Sequence, residues 1–89
     1  MLFDALIFKP HPAGMGGTRA VIDYPNGYGA SVITGKVFYT DEEHPYELAV
    51  MDANGITYTT PLTEDVLGYL TKDDVEALLL QISQLPQAA

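Results

Sequence analysis

The chain reads as an α+β domain: an antiparallel sheet of about five strands, with a short helix and a C-terminal amphipathic helix packed on one face. Three observations predict it. Runs of β-branched and aromatic residues with period-two alternation follow one another through most of the chain, separated by Pro, Asn and Gly. Asn54-Gly55, between two such runs, is a strong hairpin signal, because both residues tolerate the positive φ of a tight turn. The period then changes, and Val75, Leu78, Leu79, Ile82 and Leu85 recur at helical spacing. Strands first and a helix last argue segregated elements, hence an antiparallel sheet with its helices on one side.

Residues 2–8, Leu-Phe-Asp-Ala-Leu-Ile-Phe, have strand composition and stop at Pro10 and Pro12, which lack the N–H that a central strand needs. Residues 13–17, Ala-Gly-Met-Gly-Gly, form a flexible connection. Thr18 to Tyr24 then places Ala20, Ile22 and Tyr24 on one face and Arg19, Val21 and Asp23 on the other. Pro25-Asn26-Gly27-Tyr28-Gly29 supplies turn chemistry, with φ preset by Pro and positive φ open to Asn and Gly. A third strand is expected from Ala30 to about Tyr39, with Gly35 marking a bulge or twist. After the polar loop 40–45, Tyr46 to Met51 puts Tyr46, Leu48 and Val50 on one face, and Ile56 to Thr60 returns as the fifth strand before Pro61. Thr63-Glu64-Asp65 opens a short helix of barely two turns, with its exit near Gly68. Thr71 caps the terminal helix, Asp73, Asp74 and Glu76 suit the positive end of its dipole, and Pro86 stops it.

With 89 residues there is room for one domain, spanning 1–89, which buries roughly 60–65% of the surface of its unfolded chain. An apolar share of 47% is in the globular range. No cysteine is present, which removes disulfides, zinc-thiolate sites and thiol catalysis. The longest apolar stretches, Ala5 to Phe8 and Ala77 to Leu80, fall far short of the roughly 20 residues of a membrane span. The N-terminus lacks the basic region of a secretory signal, so a soluble protein inside a cell is expected.

Charge is polarised along the chain. Residues 1–40 hold two acids against three bases, whereas residues 41–89 hold ten acids against Lys72 alone, for a net charge of −8. Direct binding to nucleic acid or to anionic membranes is therefore not expected, and a partner with a basic surface is. The candidate contact residues are Asp41, Glu42, Glu43, Glu47, Asp52, Glu64, Asp65, Asp73, Asp74 and Glu76. About half of these also serve ordinary helix starts, which leaves the Asp41-Glu42-Glu43 loop with Glu47 and Asp52 as the unexplained excess.

Other chemistry finds little support. His11 and His44 have no ligand spacing, no serine stands beside a histidine or in a glycine elbow, and no metal, cofactor or enzymatic activity is expected. Gly14-Met-Gly-Gly-Thr18 has the glycines of a phosphate loop but no Lys-Ser/Thr ending, and it leads into a strand rather than a helix. Should an anion bind, Arg19 and Lys36, with Lys9, are the cations to hold it. Six tyrosines, each with an apolar ring and a polar tip, suit either cross-strand packing or a homodimer interface.

The stretch Tyr24-Pro-Asn-Gly-Tyr-Gly-Ala-Ser-Val-Ile33, then Tyr46-Glu-Leu-Ala-Val50 and Thr60-Pro-Leu-Thr-Glu-Asp-Val-Leu-Gly-Tyr-Leu70, resembles a family of small phage and prophage proteins. The resemblance covers roughly residues 19–85 and leaves the N-terminal segment unmatched. It implies an Asn-Gly-Tyr-Gly turn, a Glu-Leu-Ala-Val strand, a Thr-Pro-x-Thr-x-Asp-Val segment and a terminal amphipathic helix, and it carries over no catalytic or ligand residue. It also implies a setting: a bacteriophage accessory protein in the bacterial host cytoplasm. The expected function is then to bind and inhibit or modulate a host protein through an acidic surface, as an anti-CRISPR-like inhibitor of host defence would. The alternatives are a protein that sequesters a small molecule or nucleotide, and a virion or assembly component.

Overall fold

The computed structural model of the chain describes residues 2–12, 16–35, 40–53, 55–56 and 67–86. Among these, β1 (Lys9–Pro10), β2 (Thr18–Asp23), β3 (Gly29–Thr34), β4 (Tyr46–Asp52), β5 (Gly55–Ile56) and β6 (Leu67–Leu70) form one sheet, followed by helix α1 (Lys72–Ser83). All pairings are antiparallel, in the order β1-β2-β3-β4-β5. Because β3 occupies one edge of β4, β5 and β6 share the other. The architecture is α+β, as the periodicities predict.

The period-two readings of the middle strands hold. Ala20 is buried and Ile22 half-buried on one face of β2, while Val21 is exposed on the other. Opposite them, Ala30 and Val32 of β3 and Leu48 and Val50 of β4 are buried and meet Val75, Leu79 and Ile82 of α1. Each large aliphatic side chain enclosed in this way contributes about 1.5–3 kcal/mol relative to an exposed one. On the outer face Val21, Ser31 and Ala49 stand in one cross-strand row, with Val21 exposed and Ser31 and Ala49 buried.

The ends of α1 are tied as well as its face. The Thr71 hydroxyl accepts from the Asp74 amide at 3.1 Å, and the Asp74 carboxylate accepts from the Thr71 amide at 2.9 Å, a reciprocal capping box. At the other end, Asn26 from the β2–β3 turn donates to the carbonyls of Ile82 at 2.8 Å and Leu85 at 3.1 Å. The turn is closed by Tyr24 and Tyr28 backbone pairing at 2.8 Å, with Gly27 at φ 86°. Tyr24 packs against the core with its hydroxyl buried and unpartnered among the described residues. Burial, then the charge of Glu76, holds that phenol above its ordinary range.

Two expectations change, and a further one lies partly outside the described residues. Residues 2–8 are not a strand: Leu2–Ala5 form a 3-10 helix, and pairing is confined to Lys9–Pro10. Leu2, Phe3, Leu6 and Phe8 all turn to the core, a spacing with no period of two. Phe3 stacks edge-on to Tyr46 at 5.3 Å, and its amide donates to Glu76 at 2.9 Å. In the partly described case, β3 ends at Thr34, and residues 36–39 of the expected longer strand lie outside the described residues, as do residues 57–60 of the fifth. Secondly, the short helix expected from Thr63 does not reach Gly68. Its residues 63–66 are outside the described residues, but Leu67–Leu70 pair with β4 through Leu48↔Leu67 and Tyr46↔Leu70. The unequal spacing makes a bulge at Gly68-Tyr69, where Tyr69 takes φ 55°.

Candidate functional site

The acidic loop is built around one carboxylate. Oδ1 of Asp41 accepts from the amides of Glu43 at 3.0 Å and His44 at 2.7 Å and from the His44 ring Nδ1 at 3.0 Å, in the tautomer that protonates that nitrogen. The Asp41 amide in turn donates to the His44 carbonyl at 3.0 Å. An Asp side chain caps its own turn in this way wherever amides two and three residues on can swing toward it. Desolvation pushes the Asp41 carboxyl up, but the His44 backbone, ring and charge and the Glu43 amide outweigh it, leaving it below the ordinary range. Asp41 is thus the knot of the loop, and the exposed Glu42 and Glu43 are its outward-facing anions.

The pairing of Tyr46 with Leu70 sets the exit of this loop beside the start of α1. His44 marks the junction: its ring and amide bond Asp41, and it lies within electrostatic reach of Asp74. Asp74 is held below its ordinary range by the Thr71 amide first, then by the Thr71 side chain, with desolvation opposing and His44 assisting. Asp73 and Asp74 are exposed. Lys72, the base nearest in sequence, holds its Nζ 5.2 Å from the centre of the Phe3 ring. Asp41, Glu42, Glu43, Asp73 and Asp74 therefore form one acidic pole from two separate sequence segments. A cleft of about 450 Å³ lined by Thr34, Gly35, Thr40, Asp41, Glu42 and Pro45 opens beside it.

Of the remaining acidic candidates, the described ones do not join the pole. Glu76 is half-buried and turned to the Phe3 amide. Glu47 stands opposite Ile33 on the outer face of the sheet. Asp52 pairs with Gly55 at the far end of β4, six residues and roughly 20 Å from Tyr46. Glu64 and Asp65 lie outside the described residues. Among the described residues, no group of three His, Asp or Glu side chains is placed to hold a metal ion, and no helix is long and apolar enough to cross a membrane.

Of the cations named for an anion, Lys36 lies outside the described residues. Arg19 does not stand alone: it is the direct cross-strand partner of Lys9. The two line a cavity of about 390 Å³ with Ile7, Pro10, Pro12 and Val21. Sequence reasoning named both cations without their juxtaposition, because nothing in Lys9–Pro10 announces a strand. It also missed His44, although Asp41-x-x-His44 is the spacing at which an Asp can cap the turn that carries the histidine. Comparison of the chain with protein-family models, with curated proteins and with solved structures finds no match.

Proposed function

We propose that this chain works by binding rather than by catalysis, engaging a basic surface on a partner protein through its acidic pole. The observation that carries the reading is the pairing of Tyr46 with Leu70, which sets the turn knotted by Asp41 and His44 beside the start of α1 with Asp73 and Asp74, while Lys72 lies over the Phe3 ring. Anions gathered in one place act over about a Debye length, roughly 8 Å at physiological salt, and can occupy Arg- and Lys-lined grooves that otherwise take phosphates. Together with the resemblance to phage proteins, this makes an inhibitor or modulator of a bacterial host protein the favoured role, with an anti-CRISPR-like action as its specific form.

The test is affinity capture from host lysate at low and high salt, using the native chain and a Glu42→Gln/Glu43→Gln/Asp73→Asn variant. These three leave the Asp41 turn and the Thr71–Asp74 box intact. The expected result is a partner held by the native chain at low salt, released at high salt and not captured by the variant. Equal capture by the folded variant would falsify the reading.

A further inference from the structure

We infer that the cavity between β1 and β2 binds a small soluble phosphate monoester that carries an apolar group. Its first mark is a cost. Residues directly opposite in an antiparallel pair hold their Cβ atoms about 4.5–5.5 Å apart, and like charges there destabilise the sheet. Lys9 and Arg19 occupy such a pair in a chain with twelve acids and four bases. No ion pair of either is found among the described residues. By register, Glu47 on the same face stands two strands from Arg19, and Asp23 stands four residues along β2.

The second mark is the lining. Ile7 is 71% and Val21 46% exposed, and with Pro10 and Pro12 they give the cations an apolar wall. Cations serving only solubility have no need of such a wall, whereas a ligand with a charged head and an apolar body fits both parts. Two adjacent positive charges match a phosphate monoester, which carries about −1.5 to −2 at neutral pH, better than a carboxylate. The guanidinium fork of Arg19 takes two phosphate oxygens and Lys9 supplies a point charge. At about 390 Å³ the space is at the small end of the range for small-molecule sites. The net charge of −8 disfavours approach to an anionic bilayer, which selects a free ester over a lipid headgroup.

The full chain, isotopically labelled, is titrated with hexyl phosphate, hexanoate, hexanol and inorganic phosphate and followed by NMR and calorimetry. Hexyl phosphate is expected to shift the Ile7 and Val21 methyls and the Arg19 side-chain N–H, with affinity about tenfold or more above each of the other three. Arg19→Gln should lower that affinity by about tenfold or more. Because Arg19 is half-buried, Lys9→Glu is the second variant: it replaces the repulsive pair by an attractive one at the exposed edge, so binding should vanish while Tm holds or rises. Equal affinity for hexanol or for inorganic phosphate, shifts confined to other residues, or binding retained by Lys9→Glu would overturn the proposal. So would cosedimentation with phosphatidic acid vesicles that depends on Lys9 and Arg19. None of these variants touches the acidic pole, so the outcome is independent of the partner-binding reading.

Discussion

Asn26 makes three hydrogen bonds from one side chain: its oxygen accepts from the Tyr28 amide at 3.0 Å, and its nitrogen donates to the Ile82 and Leu85 carbonyls. The first shapes the β2–β3 turn, and the other two serve the end of a helix 56 and 59 residues away. A residue chosen for turn chemistry therefore also supplies donors to carbonyls at the helix end, where the regular ladder runs out and the Ile82 carbonyl otherwise accepts only short-range bonds such as that from the Leu85 amide at 3.2 Å. Asn26→Ala is expected to destabilise the fold by about 1–3 kcal/mol, since it strips partners from part-buried polar groups. Asn26→Asp should cost more than Asn26→Ala, because a carboxylate cannot donate and lies at the negative end of the helix dipole. Urea denaturation of the two variants checks both the loss and its order. An aspartate variant as stable as the native chain would remove Asn26 from this role.

At the scale of elements, the reciprocal bonds of Thr71 and Asp74 make the start of α1 sensitive to pH. The folded Asp74 carboxyl lies below its ordinary value, so folding favours the charged form. Its contribution is present above the unfolded value, near 3.8, and is lost as pH falls through the lower folded value. Asp74→Asn is therefore expected to lower Tm at neutral pH, with the difference from the native chain closing progressively as pH falls below the unfolded value. A difference in Tm constant across pH would show that the charge of Asp74 plays no part. This cap was legible in the sequence, as were the faces of β2 and β4, because each depends on residues within a few positions of one another. Residues 2–8 were not. Their apolar content is that of a strand, and what excludes the strand is Phe3, Leu6 and Phe8 packing against partners distant in sequence. For β6 the obstacle is its shortness, with Gly68 reading as a helix exit while pairing to β4 decides otherwise.

Across the whole molecule, the acidic loop could be recognised from composition, but the pole could not. It arises from the pairing of Tyr46 with Leu70, which sets residues 41–44 beside residues 73–74, and that pairing has no local signature. Asp52, counted with the loop by sequence proximity, is placed at the other end of β4. Gathering like charges at one end has a consequence for folding. In the unfolded chain the two acidic runs, 41–43 and 73–74, are separated by the sequence between them, so folding brings one against the other at a cost in repulsion. Asp41 and Asp74 recover this through hydrogen bonds, and Asp73 lies in the favourable first turn of a helix. Glu42 and Glu43 are exposed, and among the described residues their carboxylates carry no such compensation. Glu42→Gln/Glu43→Gln is accordingly expected to raise Tm at low salt, and added salt should erase the gain as the Debye length falls from about 30 Å to 8 Å. Calorimetric melting of both chains across a salt series measures this. A variant no more stable than the native chain at low salt would mean that the pole is not under electrostatic strain. A gain that salt removes would show that these two residues are kept at a cost to the fold, as a surface selected for a partner is.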